Sequence, residues 1–243
     1  VTTNDVDVLR GGQAAGNRVL SPRGLRTRSR LLVAARQVFE STPFADARLI
    51  DITAAAGLSA GSFYTYYDDK ETIFREVAAD VLEELSRSPR LDARRLERDP
   101  VRDIAESARQ YFHACLRNAR VVRSMEQLAV GDDQINNARR QTVTIGVKRA
   151  ARWIEDLQAQ GICDTAIDPW TTAMVLHTMN VRVAYDHLLL SGDERDVDGL
   201  VEAVTHVWAR TVGLEPAGPQ SASSDGEHVG DLHARDFEVG RRE

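Results

Sequence analysis

A run of hydroxyl side chains between residues 59 and 67 carries the strongest chemical signal in this sequence. Ser59, Ser62 and Thr65 offer aliphatic hydroxyls, and three tyrosines are interleaved with them. Two chemistries fit such a run: a nucleophilic serine, or a set of hydrogen-bonding groups for the bases and phosphates of DNA. The secondary structure around the run decides between them.

The nucleophile interpretation comes from residues 57–61, GLSAG, which satisfy the G-x-S-x-G pattern of serine hydrolases. That pattern requires a buried strand before the serine and a helix after it. Residues 53–56, TAAA, favour helix and offer no β-branched run. A serine hydrolase using Ser59 therefore remains an unfavoured alternative.

The DNA interpretation comes from a short helix, a tight turn and a second helix over residues 49–67. The apolar residues of the first helix share one face: Leu49, Ile52 and Ala56. Gly57 is suited to end that helix, because glycine reaches a positive φ without strain, and Ser59 is a good cap for the next. With Phe63 packed inward, small and hydroxylated residues face outward, as a helix in the major groove requires.

The flanking sequence predicts two more helices. Helical spacing of apolar residues indicates a first helix over residues 28–41. A fourth helix, from Lys70 to about Ser86, would be capped by Asp68 with Glu71 at its third position. Three short helices and a longer one then form a compact unit over residues 25–88.

The stretch from Arg28 to Phe74 closely resembles the N-terminal DNA-binding domain of TetR/AcrR-type transcriptional regulators. The matching residues occur in the family's order and spacing: Phe39, Phe44, Asp51, Ile52, 56–59, 61–64, Tyr66, Tyr67, Lys70 and Glu71. Two positions depart from the pattern. Pro43 stands where glycine is usual, and Arg48 stands where a threonine commonly caps the second helix. Either Asp46 takes over that cap or Arg48 contacts a phosphate.

The resemblance implies an all-α fold, with an N-terminal three-helix helix-turn-helix DNA-binding domain and a C-terminal helical ligand-binding and dimerisation domain. It places these residues nearest to base edges: Ala60, Gly61, Ser62 and Thr65. It assigns phosphate contacts to Tyr64, Tyr66 and Lys70, which fix register without reading sequence. Ser59 at the start of the helix and Arg48 complete the expected DNA-binding set.

Charge is distributed unevenly along the chain. The formal net charge of −6 argues against a general nucleic-acid coat protein. Residues 8–39, however, contain seven arginines and no acidic residue. Residues 1–24 are therefore predicted to be a flexible basic arm, which either tracks phosphates or is a solvated leader. Residues 215–243 are predicted to be a disordered acidic tail, leaving residues 89–214 as the second domain.

Composition also limits which metals, cofactors and partners are expected. Cys115 and Cys163 lie far apart and lack histidines at ligand spacing, so no metal site, disulfide framework or cofactor is expected. The sequence contains no apolar run long enough to cross a bilayer and no signal-peptide core. The expected location is the cytoplasm, and the expected partners are double-stranded DNA, a largely apolar small molecule and a second copy of the chain.

Residues 99–214 are again predicted to be helical. Asp99-Pro100 and Asp168-Pro169 each pair a capping aspartate with proline at the first helical position. The helix over residues 170–190 has two nearly opposite apolar stripes, so it has to be buried on two faces, within a monomer or against a second subunit. The homodimer implied by the resemblance assigns these residues to its interface: Leu176, Met179, Val183, His187, Val201, Val204 and Trp208.

The same domain contains candidates for an effector pocket, which the resemblance leads us to expect. They are aromatic or soft apolar residues with a few polar tips: Tyr111, Phe112, Cys115, Met125, Trp153, Trp170, Met174, His177 and Tyr185. For each, ordinary core packing is the alternative. Arg117, Arg120 and Arg123 form either a solvated face or a receptor for an acidic effector.

The sequence thus predicts a ligand-responsive regulator that represses from a palindromic operator as a homodimer and is released by a small molecule. An architectural DNA-binding protein without an effector is the second possibility. It would keep the N-terminal motif but lack a cavity.

Overall fold

A computed structural model describes residues 5–10, 20–87, 99–190 and 197–214. These ranges contain helices and no strand, which confirms the all-α prediction. The helices are α1 (Asp5–Arg10), α2 (Pro22–Ser41), α3 (Leu49–Ala55), α4 (Ala60–Phe63), α5 (Lys70–Ser86), α6 (Pro100–Arg117), α7 (Ala119–Leu128), α8 (Asp133–Ala159), α9 (Pro169–Val183), a π-helical segment (Ala184–Leu190) and α10 (Val197–Thr211). The predicted acidic tail, residues 11–19 of the predicted arm and the junction at 88–98 lie outside the described residues.

The first helix of the DNA-binding domain begins earlier than predicted. Ser21 caps α2 by accepting a hydrogen bond from the backbone N–H of Gly24, and Pro22 occupies the first turn. The predicted boundary between the arm (1–24) and the domain (25–88) therefore falls inside a helix. The Ser-Pro pair was the sequence signal for this start.

Aromatic side chains form the core of this domain. The Phe39 ring centroid lies 5.1 Å from that of Phe74, and Phe44 lies 4.8 Å from Phe74. The edge-to-face geometry of both pairs suits the charge distribution of aromatic rings. Phe63 and Tyr67 are fully buried beside this cluster. Helices α2, α3, α4 and α5 are thereby held in one packed unit.

Helix α5 spans Lys70–Ser86, as predicted, but its cap is different. Asp69, not Asp68, accepts hydrogen bonds from the backbone N–H and the hydroxyl of Thr72, both at 2.6 Å. Helix α5 packs against α2 in the first domain and against α6, α7 and α8 in the second. It is therefore the element through which the two domains contact each other most.

The N-terminal segment contradicts the prediction of a flexible arm over its first part. Residues 5–10 form α1, which packs between α5 and α8. Leu9 is fully buried there, and the backbone N–H of Val6 donates to the side chain of Gln141. Arg10 bonds to Asp80 and Glu83 on α5. The buried apolar side chains of α1 are Val6 and Leu9, which lie about one helical turn apart.

Shortening Leu9 should destabilise the protein. Leu9→Ala is expected to lower the free energy of unfolding by about 2 kcal/mol, the low end for a buried leucine, because α1 is short and terminal. Val8→Ala is the matched control, because Val8 is 37% exposed. This substitution should change the free energy of unfolding by less than about 0.5 kcal/mol. Urea titrations measure both. Equal midpoints for the two variants would show that α1 does not dock.

The second domain confirms the predicted caps. Asp99 and Asp168 accept backbone hydrogen bonds at the starts of α6 and α9, each followed by proline. Gly161, with φ of 68°, follows the end of α8. Cys115 and Cys163 are buried and not disulfide-bonded. No helix in the described ranges combines the length and apolar composition that a membrane span requires.

Candidate nucleic-acid interface and effector cavity

The turn and the second helix of the helix-turn-helix expose the expected side chains. Gly57 turns the chain with φ of 63° between α3 and α4. Five exposed residues follow it and form what we call the recognition face: Ser59, Ala60, Gly61, Tyr64 and Thr65. Phe63 points inward and is fully buried. The hydroxyl-rich side is therefore open to a partner.

Helix α4 is shorter than predicted. It comprises four residues, and residues 64–66 form a turn. The Ser59 hydroxyl does not cap it; its oxygen lies 2.8 Å from the hydroxyl oxygen of Ser62. Ser62 and Tyr66 are partly buried, so they contribute less surface than the recognition face.

A buried polar group ties the recognition segment to α5. The Tyr67 hydroxyl donates to Glu76 at 3.1 Å, and Arg28 is ion-paired with the same carboxylate. The Arg28 guanidinium also lies 5.1 Å from the Tyr67 ring centroid. Burial raises the pKa of Glu76 despite its two donors. These contacts make the position of α4 depend on the position of α5.

Lys70, which is predicted to contact a phosphate, also has contacts within the fold. Its Nζ donates to the backbone carbonyls of Phe44 at 2.7 Å and Ala47 at 3.0 Å. It also lies 4.4 Å from the Phe44 ring centroid. An ammonium has three donors, and two of them are already used. Replacing Lys70 would therefore disturb the α2–α3 connection as well as any DNA contact.

Arg48 resolves the question about the cap of α3. It occupies the N-cap position itself, without a side-chain cap bond, so Asp46 does not take over. Its guanidinium makes two bonds to Asp51, at 3.0 and 2.9 Å, which lower the pKa of that carboxyl. The side chain remains 73% exposed. An exposed bidentate pair of this kind leaves the guanidinium accessible to a phosphate.

Several arginines of the predicted basic run are used inside the fold. Arg28 and Arg36 pair with Glu76 and Glu84, and Arg30 donates to the carbonyl of Ala56. Arg23 and Arg26, at the start of α2, are exposed. Among the described residues, the phosphate contact predicted for the arm is therefore limited to the start of α2.

A cavity of about 360 Å³ lies in the second domain, between α5, α6, α7, α8, α9 and the π-helical segment. Five of the nine predicted pocket residues line it: Tyr111, Cys115, Met125, His177 and Tyr185. Its volume falls in the range of ligand sites. Leu82, Leu85 and Ser86 of α5 form part of its wall, so the cavity touches the helix that contacts both domains.

The other four predicted pocket residues lie elsewhere. Phe112 and Trp153 are buried in the core and do not line the cavity. Trp170 and Met174 are on the outer face of α9, 45% and 44% exposed. All four residues were predicted to line the pocket from their residue type alone. The angular position of each on its helix separates them from the cavity.

Charged and polar residues of the cavity wall were not anticipated from the sequence. Glu126 is ion-paired with Arg139, and Arg140, Arg149 and Asn180 also line the cavity. The available signal was spacing: Arg139, Val143, Gly146 and Arg149 recur at helical intervals on α8. Charged residues at such positions usually indicate a solvated face, and here they face a cavity instead.

His177 packs directly on α8. A side-chain carbon placed on Gly146 would lie 2.3 Å from its ring, so only glycine permits this contact. Burial and the charge of Arg149 lower the pKa of His177 to about 4. Nearby, burial raises the pKa of the Cys115 thiol to about 12, and Tyr111 hydrogen-bonds to it. At neutral pH the His177 imidazole and the Cys115 thiol are therefore both uncharged.

His177 should make stability depend on pH. Its pKa is lower in the folded state (about 4) than the ordinary value of 6.5, so the unfolded chain binds the proton first. Stability is then lost as pH falls from about 6.5 towards 4, by up to about 2 kcal/mol at pH 5. His177→Gln should remove this loss in denaturant titrations, whereas His206→Gln, at an exposed position of α10, should retain it. Equal slopes in all three proteins would contradict the assignment.

Four of the seven residues predicted for the dimer interface are buried within their own subunit, and the other three are partly buried. Leu176, Val201, Val204 and Trp208 are buried in the core of their own subunit, and the Trp208 indole donates to Asn180 of α9. Met179, Val183 and His187 are partly buried. The apolar residues that α9 and α10 leave exposed are instead Trp170, Met174, Val175 and Val207.

The local structure excludes a nucleophile elbow at Ser59. Helix α3, not a strand, precedes the GLSAG segment, and α4 after it has a single turn. The Ser59 hydroxyl contacts the Ser62 hydroxyl, not a side chain that could act as a general base. The hydrolase interpretation is therefore rejected.

These features define a helix-turn-helix DNA-binding protein. Residues 31–77 match the family described as bacterial regulatory proteins, tetR family. A curated relative, the uncharacterised HTH-type transcriptional regulator YdgC of Bacillus subtilis, is 39% identical over 61 residues. That match covers 25% of this chain and 31% of the relative, so the chain spans about a third of that relative's length.

Solved structures share the fold over most of this chain. A TetR-family regulator from Mesorhizobium loti superposes with a TM-score of 0.65 at 19% identity, covering 79% of this chain and 98% of the other. SmeT, the repressor of the Stenotrophomonas maltophilia multidrug efflux pump SmeDEF, gives a TM-score of 0.59 at 17% identity, covering 76% and 89%. By its N-terminal domain and its fold, the chain is similar to transcriptional regulators of the TetR family.

Proposed function

We propose that this protein is a ligand-responsive repressor of the bacterial cytoplasm, which binds a palindromic operator as a homodimer and leaves it when a small molecule enters the cavity. The observation that carries the proposal is the coexistence of an exposed recognition face and an internal cavity that share one helix, α5. SmeT, a repressor of similar fold, supports the direction of regulation.

The DNA half rests on the recognition face. Its residues are small or hydroxylated and contain no amide or guanidinium, so base readout depends on hydroxyl hydrogen bonds and methyl contacts. Arg48 at the start of α3, with Arg23 and Arg26 at the start of α2, supplies positive charge at exposed positions of the same domain. Contacts of this type supply affinity and register rather than sequence preference.

The dimer half rests on the exposed apolar residues of α9 and α10. Val175 is 59% exposed and Val207 41%, although ordinary surface positions on a helix are polar. Two copies of this pair of helices around a two-fold axis would cover those side chains as a four-helix interface. A symmetric dimer would also present two recognition faces about 34 Å apart, one turn of DNA.

The coupling rests on α5. The cavity-facing residues Leu82 and Leu85 lie near its end, and Glu76, which anchors Tyr67, lies two turns earlier. A ligand that fits the cavity better in one arrangement of α5 shifts the protein towards that arrangement, by no more than its difference in affinity. The spacing of the recognition faces changes with it. The cavity counts against an architectural protein without an effector.

Selection of bound duplexes from a random pool tests the proposal. We expect a palindromic consensus with half-site centres about 10 base pairs apart, and affinity that falls steeply with salt. A Thr65→Ala protein should select an altered consensus. Failure to enrich any palindrome would contradict a specific regulator, and binding without sequence preference would favour the architectural alternative.

A further inference from the structure

The lining of the cavity carries more positive than negative charge. Three arginines and one glutamate are among its described lining residues: Arg139, Arg140, Arg149 and Glu126. Glu126 is ion-paired with Arg139, so their charges cancel locally. Arg140 is at an exposed position of α8. Arg149 is partly buried and lies about 15 Å further along the helix than Arg139, at a rise of about 1.5 Å per residue.

The surroundings of Arg149 are suited to a small anionic group. His177, whose pKa is about 4, is neutral at physiological pH and offers a ring N–H without a competing charge. Asn180 lies three residues further along α9, on the same side, and offers a carboxamide. Gly146 lets the imidazole pack directly on α8, which fixes the position of the ring beside the cavity. A guanidinium with neutral donors beside it can bind both oxygens of a carboxylate.

The rest of the wall is largely apolar. It is formed by aliphatic and thioether side chains from four helices and the π-helical segment: Leu82, Leu85, Val122, Met125, Val143, Val181 and Leu189. A ligand that fills this space has to present a hydrocarbon or aryl surface to it. The lining therefore combines one cationic end with an apolar body.

We propose that the effector is an amphipathic monocarboxylate, whose carboxylate binds Arg149 between His177 and Asn180 and whose apolar body contacts the wall beneath α5. This inference rests on the proposed function, because it names the chemical class of the effector. It also assigns a role to a charge that the fold itself disfavours. Burial lowers the pKa of Arg149, which means that the protein interior opposes its positive form.

Direct binding measurements test the class. The probes are matched series with the same apolar body: decanoate, decanol and decylamine, and 1-naphthylacetate with the corresponding alcohol and amine. Isothermal titration of the full chain should show each carboxylate binding at least about 10-fold more tightly than its alcohol, as expected for a charge-assisted hydrogen bond. Alcohols or amines that bind as tightly as the carboxylates would overturn the proposal, and so would a failure of every carboxylate to bind.

Variants assign the effect to Arg149. Arg149→Gln should weaken carboxylate binding about 10- to 100-fold and leave alcohol binding within about 2-fold. Its melting temperature, measured alongside, checks that the variant folds. Lys148→Gln is the matched control, since Lys148 is the exposed neighbour on the same helix and does not line the cavity. Equal losses in the two variants would overturn the proposal. If Arg149→Gln fails to fold, Arg149→Lys serves as the second variant. It keeps the positive charge but cannot make the bidentate hydrogen bonds of a guanidinium, so it should show an intermediate loss of carboxylate affinity.

A parallel DNA-release assay separates this inference from the proposed function. Decanoate that binds through Arg149 but does not release DNA would contradict effector control and leave the ligand class intact. A neutral compound that enters the cavity and releases DNA, with carboxylates inactive, would contradict the ligand class and leave effector control intact.

Discussion

Gly61→Glu should abolish DNA binding without damaging the fold. A side-chain carbon at Gly61 would meet no protein atom within 4 Å, so the fold imposes no need for glycine there. Glycine in a helix costs about 1 kcal/mol relative to alanine, and an acidic residue in the first turn is favourable. The substitution should therefore leave the melting temperature unchanged or raise it. On DNA, the same side chain would place bulk and negative charge against the groove, with an expected loss of affinity of at least about 100-fold.

Fluorescence anisotropy with a selected duplex measures this loss. Gly131→Glu is the matched control, because Gly131 also faces open space but lies in the turn between α7 and α8. The control should bind DNA within about 2-fold of the parent, given the modest and screened effect of a distant surface charge. Gly61→Glu binding as tightly as this control would show that the recognition face does not approach DNA.

Val175→Glu should convert the proposed dimer into monomers. Dimer interfaces of standard size bury about 1,200–2,000 Å² and exclude unpaired charge from their centres. Val175 is 59% exposed in the single subunit, so glutamate there costs little until a partner covers it. We expect monomers in sedimentation velocity and affinity for a palindrome reduced at least about 100-fold, because only one half-site is then held.

Val130→Glu controls for the added charge. Val130 is 92% exposed in the turn between α7 and α8, away from α9 and α10. The Val130→Glu substitution should leave the proposed dimer and its affinity for DNA unchanged. A dimeric Val175→Glu protein would place the interface on another face. Leu176→Ala, by contrast, should lower subunit stability by about 2–5 kcal/mol, since Leu176 belongs to the subunit core.

Local signals allowed much of the fold to be predicted from the sequence. The Asp-Pro pairs fixed the starts of α6 and α9, and Gly57 fixed the turn of the helix-turn-helix, because each acts within a few residues. The exposed position of the recognition face followed from Phe63, the one large apolar residue of α4. Such features need no knowledge of tertiary contacts.

The dimer face could not be predicted in the same way. Helix α9 is apolar on two sides, so its sequence alone does not say which side meets α8 and α10 and which meets solvent. The π-helical segment that follows adds a second obstacle, since its wider turns change the angular position of each later residue. Leu190, three residues after the predicted interface residue His187, is 58% exposed, whereas His187 is partly buried.

Some contacts of charged residues could not be predicted from the sequence. Lys70 matches the family motif, but it binds two backbone carbonyls that the sequence does not reveal. Arg149 lines a cavity because α8 and α9 come together at Gly146, a contact 31 residues apart in sequence. The docking of α1 likewise depends on a groove between α5 and α8. All three are consequences of long-range packing.

The most direct measurement compares the DNA consensus selected by the parent protein with the one selected by Thr65→Ala. Thr65 is exposed on the recognition face, and its loss removes one hydroxyl and one methyl group from that face. We expect the two consensus sequences to differ at one symmetric pair of positions, one in each half-site, with the remaining positions unchanged. Identical consensus sequences at every position, at equal affinity, would contradict the claim that this helix reads DNA.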